Sequence, residues 1–459
     1  ITDVHFDPES EDPDLELAGY AINIYNSDPS LSNLMVDHNY ANIRLYTSSP
    51  TINNIHSIYS GRALTMQEYS FPVISNSKFN HNTGINVEIK SHSDPIFNNC
   101  EFSYNSNMNY SYGGAGVRSS SSGGGVTLNN CKFQYNQQLA NGSAYSIGRD
   151  YEGSVQFNNC LITNNEVHNP YNGRGGAISI YTNTAVFIRN TTIADNFTYS
   201  DNSDHELGAG ISIESQVYGG PSLVYPKIAF INNIIYGNQV VFSDGSTENN
   251  QIVFSTSLIE TDYEEWDGLP RGMSTLVFSH NNIQGGMDNF QWGSMDYYSP
   301  SEFIYWLDGN IDVEPAFNDD YTLSVNSPLI DQGSDILYME PWEDPWDDDW
   351  YNYYHGWDTW GGVGVPAYMN LPSDWDQYVI AYTEPSYYNG SAPDMGAYEY
   401  MYVSPSDEFL LEISVTDDLG SDPFVLSIGT IETATIGYDP GLDVYAPPAP
   451  PPPAWDAAL

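Results

Sequence analysis

The sequence predicts an all-β fold: a right-handed parallel β-helix, a solenoid of stacked coils, with a small C-terminal β-hairpin and a proline-rich tail. Three observations predict it. A short phrase, read as apolar, any, Asn, two of any, apolar, two of any, Asn, recurs along the first two-thirds of the chain. Several copies are followed by glycines and a short alternating apolar strand. The chain is strongly acidic yet carries 14% aromatic residues, including 37 Tyr, which is not the composition of a disordered acidic segment.

The phrase appears as Leu31/Asn33/Val36/Asn39, Ile74/Asn76/Phe79/Asn82, Phe97/Asn99/Phe102/Asn105, Leu128/Asn130/Phe133/Asn136, Phe157/Asn159/Ile162/Asn165, Ile188/Asn190/Ile193/Asn196 and Phe230/Asn232/Ile235/Asn238. Weaker copies sit around Asn54, Ser255 and His280. A fixed motif at variable spacing means one structural coil per copy, with loops of different length between copies. A single coil cannot bury its apolar face, but a stack of coils can. About eleven coils at the parallel-strand spacing would extend roughly 50–55 Å. The leading asparagines, Asn33, Asn76, Asn99, Asn130, Asn159, Asn190 and Asn232, are expected to hold left-handed bends and to form an amide ladder between coils. The glycine-led strands at Gly84–Val87, Gly114–Val117, Gly175–Ile180 and Gly208–Ile213 supply another wall of each coil. Parallel crossovers favour the right hand.

Cys100, Cys131 and Cys160 each follow a leading Asn in three consecutive copies, so they should stack inside the wall as buried free thiols. Sixty acidic residues against 11 basic give a net charge of −49, which repels nucleic acid and anionic membranes. No run of 18 apolar residues exists, so no transmembrane segment is expected. The chain opens on Ile1, read as a processed N-terminus of an exported protein. The organisation reads as an N-terminal cap or strand (1–20), parallel β-helix coils (21–300), closing coils with an acidic aromatic insertion (301–400), a β-hairpin unit (401–436) and a Pro-rich tail (437–459).

Beyond residue 300 the phrases Ser327-Pro328-Leu329-Ile330-Asp331-Gln332-Gly333 and Asp394-Met395-Gly396-Ala397-Tyr398-Glu399 stand out. With the repeats, they resemble the closing coils of bacterial right-handed β-helix proteins of the pectin-lyase-like superfamily, of the secreted or surface-anchored type. The tail from 401 is similar to segments of exported Bacteroidota-type proteins. The resemblance implies a β-helix and an extracellular or cell-surface location. It leaves activity open, because that superfamily mixes lyases, hydrolases, adhesins and structural proteins.

The insertion 340–360 interleaves carboxylates with aromatics. Asp344, Asp347, Asp348 and Asp349 are candidate calcium ligands, calcium being the only cofactor the sequence suggests. Trp346, Trp350 and Trp357, with Trp342 and Trp360, are candidate glycan-stacking residues. The alternative is a loop that covers the solenoid with its aromatics. For an enzyme, the best candidates are Arg118 and Arg149, each 19 residues after a leading Asn and so expected one coil apart on one face, with Arg174 near them. Asp195, Asp201, Asp204 and Glu214 are close in sequence, but no motif fixes them as a glycosidase pair. Two readings follow. One is a structural or interaction protein that assembles with itself, head to tail or by strand addition, or adheres to surface glycans. The other is a carbohydrate-active enzyme, a lyase or hydrolase, with its groove along one sheet.

Overall fold

A computed structural model of the chain describes residues 20–108, 113–120, 124–139, 141–148, 153–168, 175–181, 185–200, 207–214, 227–254, 275–292, 304–334 and 392–399. Among these residues the fold is the right-handed parallel β-helix, with sheets of ten, seventeen and six strands. No described helix is long and apolar enough to cross a membrane. Tyr402–Leu459 divides off as a second unit and lies, with the expected hairpin and proline tail, outside the described residues.

One coil shows how the sequence winds. Strand Ile96–Asn98 leads to a bend at Asn99, strand Glu101–Ser103 to a second bend at Tyr104, and strand Ser106–Asn107 follows. Strand Val117–Ser119 then forms the first sheet before Gly125–Asn129 opens the next coil. Register is strict. Leu128 lies over Phe97 and under Phe157, and Phe133 over Phe102 and under Ile162. Inward positions are therefore apolar in coil after coil, and the rings of Phe79, Phe102 and Phe133 stack at 5.4 and 4.7 Å. Each such buried side chain contributes about 1.5–3 kcal/mol.

The two asparagine series divide the labour expected of one. The leading residues Asn33, Asn54, Asn76, Asn99, Asn130, Asn159, Asn190 and Asn232 all have φ between 45 and 56°. They are the left-handed bends, as expected. The amide ladder, however, belongs to the trailing series. Asn105, Asn136, Asn165 and Asn196 are fully buried. The Asn136 Nδ2 donates to Asn165 Oδ1 (2.8 Å) and to the Phe102 carbonyl (2.8 Å). Its Oδ1 accepts from the Asn105 backbone N–H and Nδ2. The same pattern repeats from Asn165 to Asn196 and from Asn196 to Asn238. The leading side chains point outward and join only in places, Asn54 to Asn33 and Asn99 to Asn76. A left-handed bend turns its own side chain out and the next residues in. For the same reason the residue after each leading Asn forms an inward column: Ser77, Cys100, Cys131, Cys160, Thr191, Asn233, Asn281. The three cysteines are free and buried there. Their thiols donate to backbone carbonyls, Cys131 to Asn129 for example. Burial, with the flanking Cys100 and Cys160, holds the Cys131 thiol far above its ordinary pKa.

Among the described residues the stack is shorter than expected. The first sheet holds ten strands, so the described stack spans about 43 Å at the parallel spacing. The bend at Asn232 is followed directly by that at His280, since Ile231 pairs with Ser279. The weak copy around Ser255 is thus not a separate coil: Ile252–Phe254 is the first-sheet strand of the same long turn.

The resemblance to closing coils also needs correction. Among the described residues regular stacking ends near Asn310, whose Oδ1 accepts from Asn281 Nδ2 in the column after the leading bends, as Asn281 Oδ1 does from Asn233, and Ile311, bridged to Asn282. The chain then doubles back as a strap over the outside of the second sheet. Leu323, Leu329 and Met395 cover the outward face of Ile234 in a separate small core. Asn232 exchanges two hydrogen bonds with the Ser334 backbone, and the Ala397 N–H donates to Thr192 Oγ1. Tyr398 lies over Lys132, farther back along the stack. The two family-like phrases are therefore clasps of this strap.

Candidate functional site

The face that decides between the two readings is the outside of the first sheet. Its outward row is Asn23, Arg44, Thr65, Glu88, Arg118, Ser146, Ser179, Ser212 and Val253, one residue per coil. The early coils carry the charge. Glu88 is 3% exposed, and its two oxygens are taken by Arg62 (3.2 Å) and Lys90 (3.1 Å). Arg44 binds Gln67 Oε1 through Nε and Nη2 and lies against the rings of Tyr20 and Tyr46. Burial lowers the Arg62 pKa, and Glu88 together with Tyr20 and Tyr40 outweighs it, so the guanidinium stays charged beside Glu88. This cluster leaves both Glu88 oxygens engaged by cations of the protein itself.

The later coils of the same row are small and covered. Ser146, Ser179 and Ser212 point outward, yet each is at most 4% exposed. The glycine corner of each coil lies over the outward residue of the next. A β-carbon on Gly113 would meet Ser146 Oγ at 2.5 Å, and one on Gly208 would meet Val253 Cγ1 at 2.5 Å. Glycine here serves close approach of the backbone, which closes the groove.

Arg118 sits in this row between Glu88 and Ser146. Its partner one coil on is Ser146, whereas Arg149 comes three residues later in the chain. Equal spacing from the leading Asn does not give equal register, because the intervening loops differ in length. Arg149 and Arg174 lie outside the described residues, as do Asp344, Asp347, Asp348, Asp349, Trp346, Trp350 and Trp357. No group of three or more His, Cys, Asp or Glu among the described residues has metal-binding geometry. Asp195 is engaged elsewhere. It accepts from Tyr321 Oη of the strap (2.8 Å), and burial raises its pKa despite that bond.

A second surface was not foreseen. The residue immediately before the trailing Asn, or the serine in its place, is His38, Tyr59, His81, Tyr104 and Tyr135 in successive coils. All five have φ between 52 and 58°, a costly conformation for a ring-bearing residue. Their rings stack at 5.4, 5.3, 5.0 and 4.9 Å. Tyr59, Tyr104 and Tyr135 remain 52%, 50% and 44% exposed. In the following coils the corner passes to Asn164, Asp195 and Gly237, which adopt it more readily, and there Tyr321 of the strap bonds Asn164 and Asp195. The signal was present in the repeat, at a position the phrase left as any residue. The result is an exposed aromatic ridge along one corner of the solenoid.

A family model described as a right handed beta helix region matches residues 14–150. No curated protein and no solved structure matches the chain. The matched stretch contains the charged half of the first-sheet row and all five rings of the ridge, and the sheets continue the same architecture to residue 306.

Proposed function

We propose that the chain is a secreted or cell-surface structural and interaction protein, which works by presenting long ordered surfaces rather than by turning over a substrate. The observation that supports this most is the outer row of the first sheet. Its carboxylate, Glu88, is neutralised on both oxygens, and its serines lie under glycine corners. Acid–base hydrolysis requires two carboxylates facing a bound sugar, and this row offers one, already committed. The exposed ridge of stacked rings supplies the contact surface that such a protein needs. Self-association end to end is the assembly this reading favours, because a heterologous contact between coil ends continues rather than closes.

Electron microscopy of the purified chain tests the reading. Filaments, or linear chains of particles, support it; monodisperse single particles at all concentrations argue against self-assembly. The enzyme alternative is favoured by one observation, Arg118 in register beside Glu88. Its test is an assay on neutral and acidic polysaccharides with an Arg118→Ala control. Turnover that disappears in that variant would replace the present reading.

A further inference from the structure

We propose that Tyr104 and Tyr135 form a site of oxidative cross-linking, at which a one-electron oxidant joins two neighbouring coils through a carbon–carbon bond between the phenol rings. Coupling of this kind asks three things of a tyrosine pair. Both rings must be within reach of an oxidant in solution. They must face one another, because the new bond forms between the π faces at carbons ortho to oxygen. They must also stay so placed long enough for two radicals to meet.

The pair meets each requirement. Both rings are about half exposed, at 50% and 44%. Their centroids are 4.9 Å apart and their planes only 12° from parallel. The two residues occupy the same left-handed corner of adjacent coils, with φ of 58 and 56°. Just before each corner, Ser103 is registered with Gln134. The two rings are therefore related by a near-translation from one coil to the next. The trailing Asn105 and Asn136, bonded to each other and fully buried, anchor both corners from within. Tyr25 and Tyr46 also stack, at 5.0 Å, but the guanidinium of Arg44 lies over Tyr46, and a positive charge there opposes electron removal.

The step balances with a peroxidase and hydrogen peroxide as oxidant. Each phenol gives up one electron and its hydroxyl proton, and the two together reduce one peroxide to two waters. The phenoxyl radicals combine at their ortho carbons. Each ortho hydrogen then moves as a proton to the ring oxygen, which restores two phenols joined as a biaryl. The product lacks two hydrogen atoms and ties coil to coil at a point separated by 31 residues in sequence. This goes beyond the scaffold reading and holds whether or not the chain forms filaments.

The test treats the dilute full chain with a peroxidase and limiting peroxide, then digests it for mass spectrometry. The expected product is an intramolecular cross-linked peptide pair containing Tyr104 and Tyr135, two hydrogens lighter than the sum, with dityrosine fluorescence. Tyr104→Phe and Tyr135→Phe keep the ring stack and should each abolish that peptide. Tyr40→Phe, at a 76% exposed position, should leave it unchanged. The inference is overturned if the folded chain gives only oxidised or intermolecularly linked tyrosines. It is equally overturned if the 104–135 link forms as readily in urea, where the corners no longer hold the rings together.

Discussion

At each corner of a coil, the choice of residue follows from what the backbone leaves unsatisfied. Asn130 has little to do but tolerate a φ of 53°, and glycine does that equally well. Asn136 satisfies a carbonyl below it, an amide below it and an amide oxygen above it, all in the buried wall. Asn136→Ala should therefore cost about 2–4 kcal/mol, because several buried groups lose their partners. Asn130→Gly should stay within about 1 kcal/mol of the parent. Urea unfolding of the two variants checks the contrast, and equal losses would contradict the division of labour. The cysteines give a second residue-scale expectation. Buried thiols, out of reach of solvent, should be silent to a thiol reagent near pH 8 in the folded chain, and all three should react once it is unfolded. That column was legible in the sequence, since the residue after a repeated bend must point inward. Which Asn carries the ladder was not, because both series have the same composition and differ only in the direction their bends impose.

Among the elements, the strap and the glycine corners are the informative parts. Tyr321 Oη is held by Asp195 and Asn164 where the strap crosses the ridge corner. Tyr321→Phe should raise amide exchange in residues 311–334 and leave the early coils unchanged. Asp195 adds a pH dependence. Its folded pKa is raised by burial, so the folded state binds its proton more readily than the unfolded chain does. Stability from this group is thus greatest at low pH and falls as pH rises from about 4, the ordinary Asp value, through the raised one. His81 acts in the opposite sense: burial lowers its pKa, so its contribution is lost as pH falls below about 6.5. Asp195→Asn should remove the first dependence and keep the strap closed at neutral pH, as read by exchange at pH 5 and pH 8. The strap was the part of the fold least readable beforehand. Its phrases are those of a chain ending a solenoid, but nothing in them says whether it caps the end or runs back along the side. The ridge, by contrast, could have been read from the residue before each trailing Asn. The apolar and Asn positions of the repeat say nothing about that site, which faces solvent.

For the chain as a whole, charge and geometry set the behaviour. A net charge of −49 means that the folded state works against its own repulsion. Raising salt from about 10 mM to about 150 mM shortens the screening length from roughly 30 to roughly 8 Å and should raise the melting temperature. A fall would mean that attractive pairs such as Arg62–Glu88 outweigh the repulsion. The fold class was readable because stacking makes every coil repeat the same physical demands. The functional face was less so, because register across the first sheet depends on loop lengths, and Arg118 therefore faces Ser146 rather than a second arginine. The stack itself is open to direct measurement. Met35, His56, Lys78, Glu101 and Lys132 lie in one outward column, each registered on the next. Spin labels at positions 35 and 132 should sit four strand spacings apart, about 19 Å by pulsed electron spin resonance, with labels at 35 and 101 nearer by one spacing. A broad distribution, or a distance that does not shorten from 132 to 101, would contradict coils stacked in register.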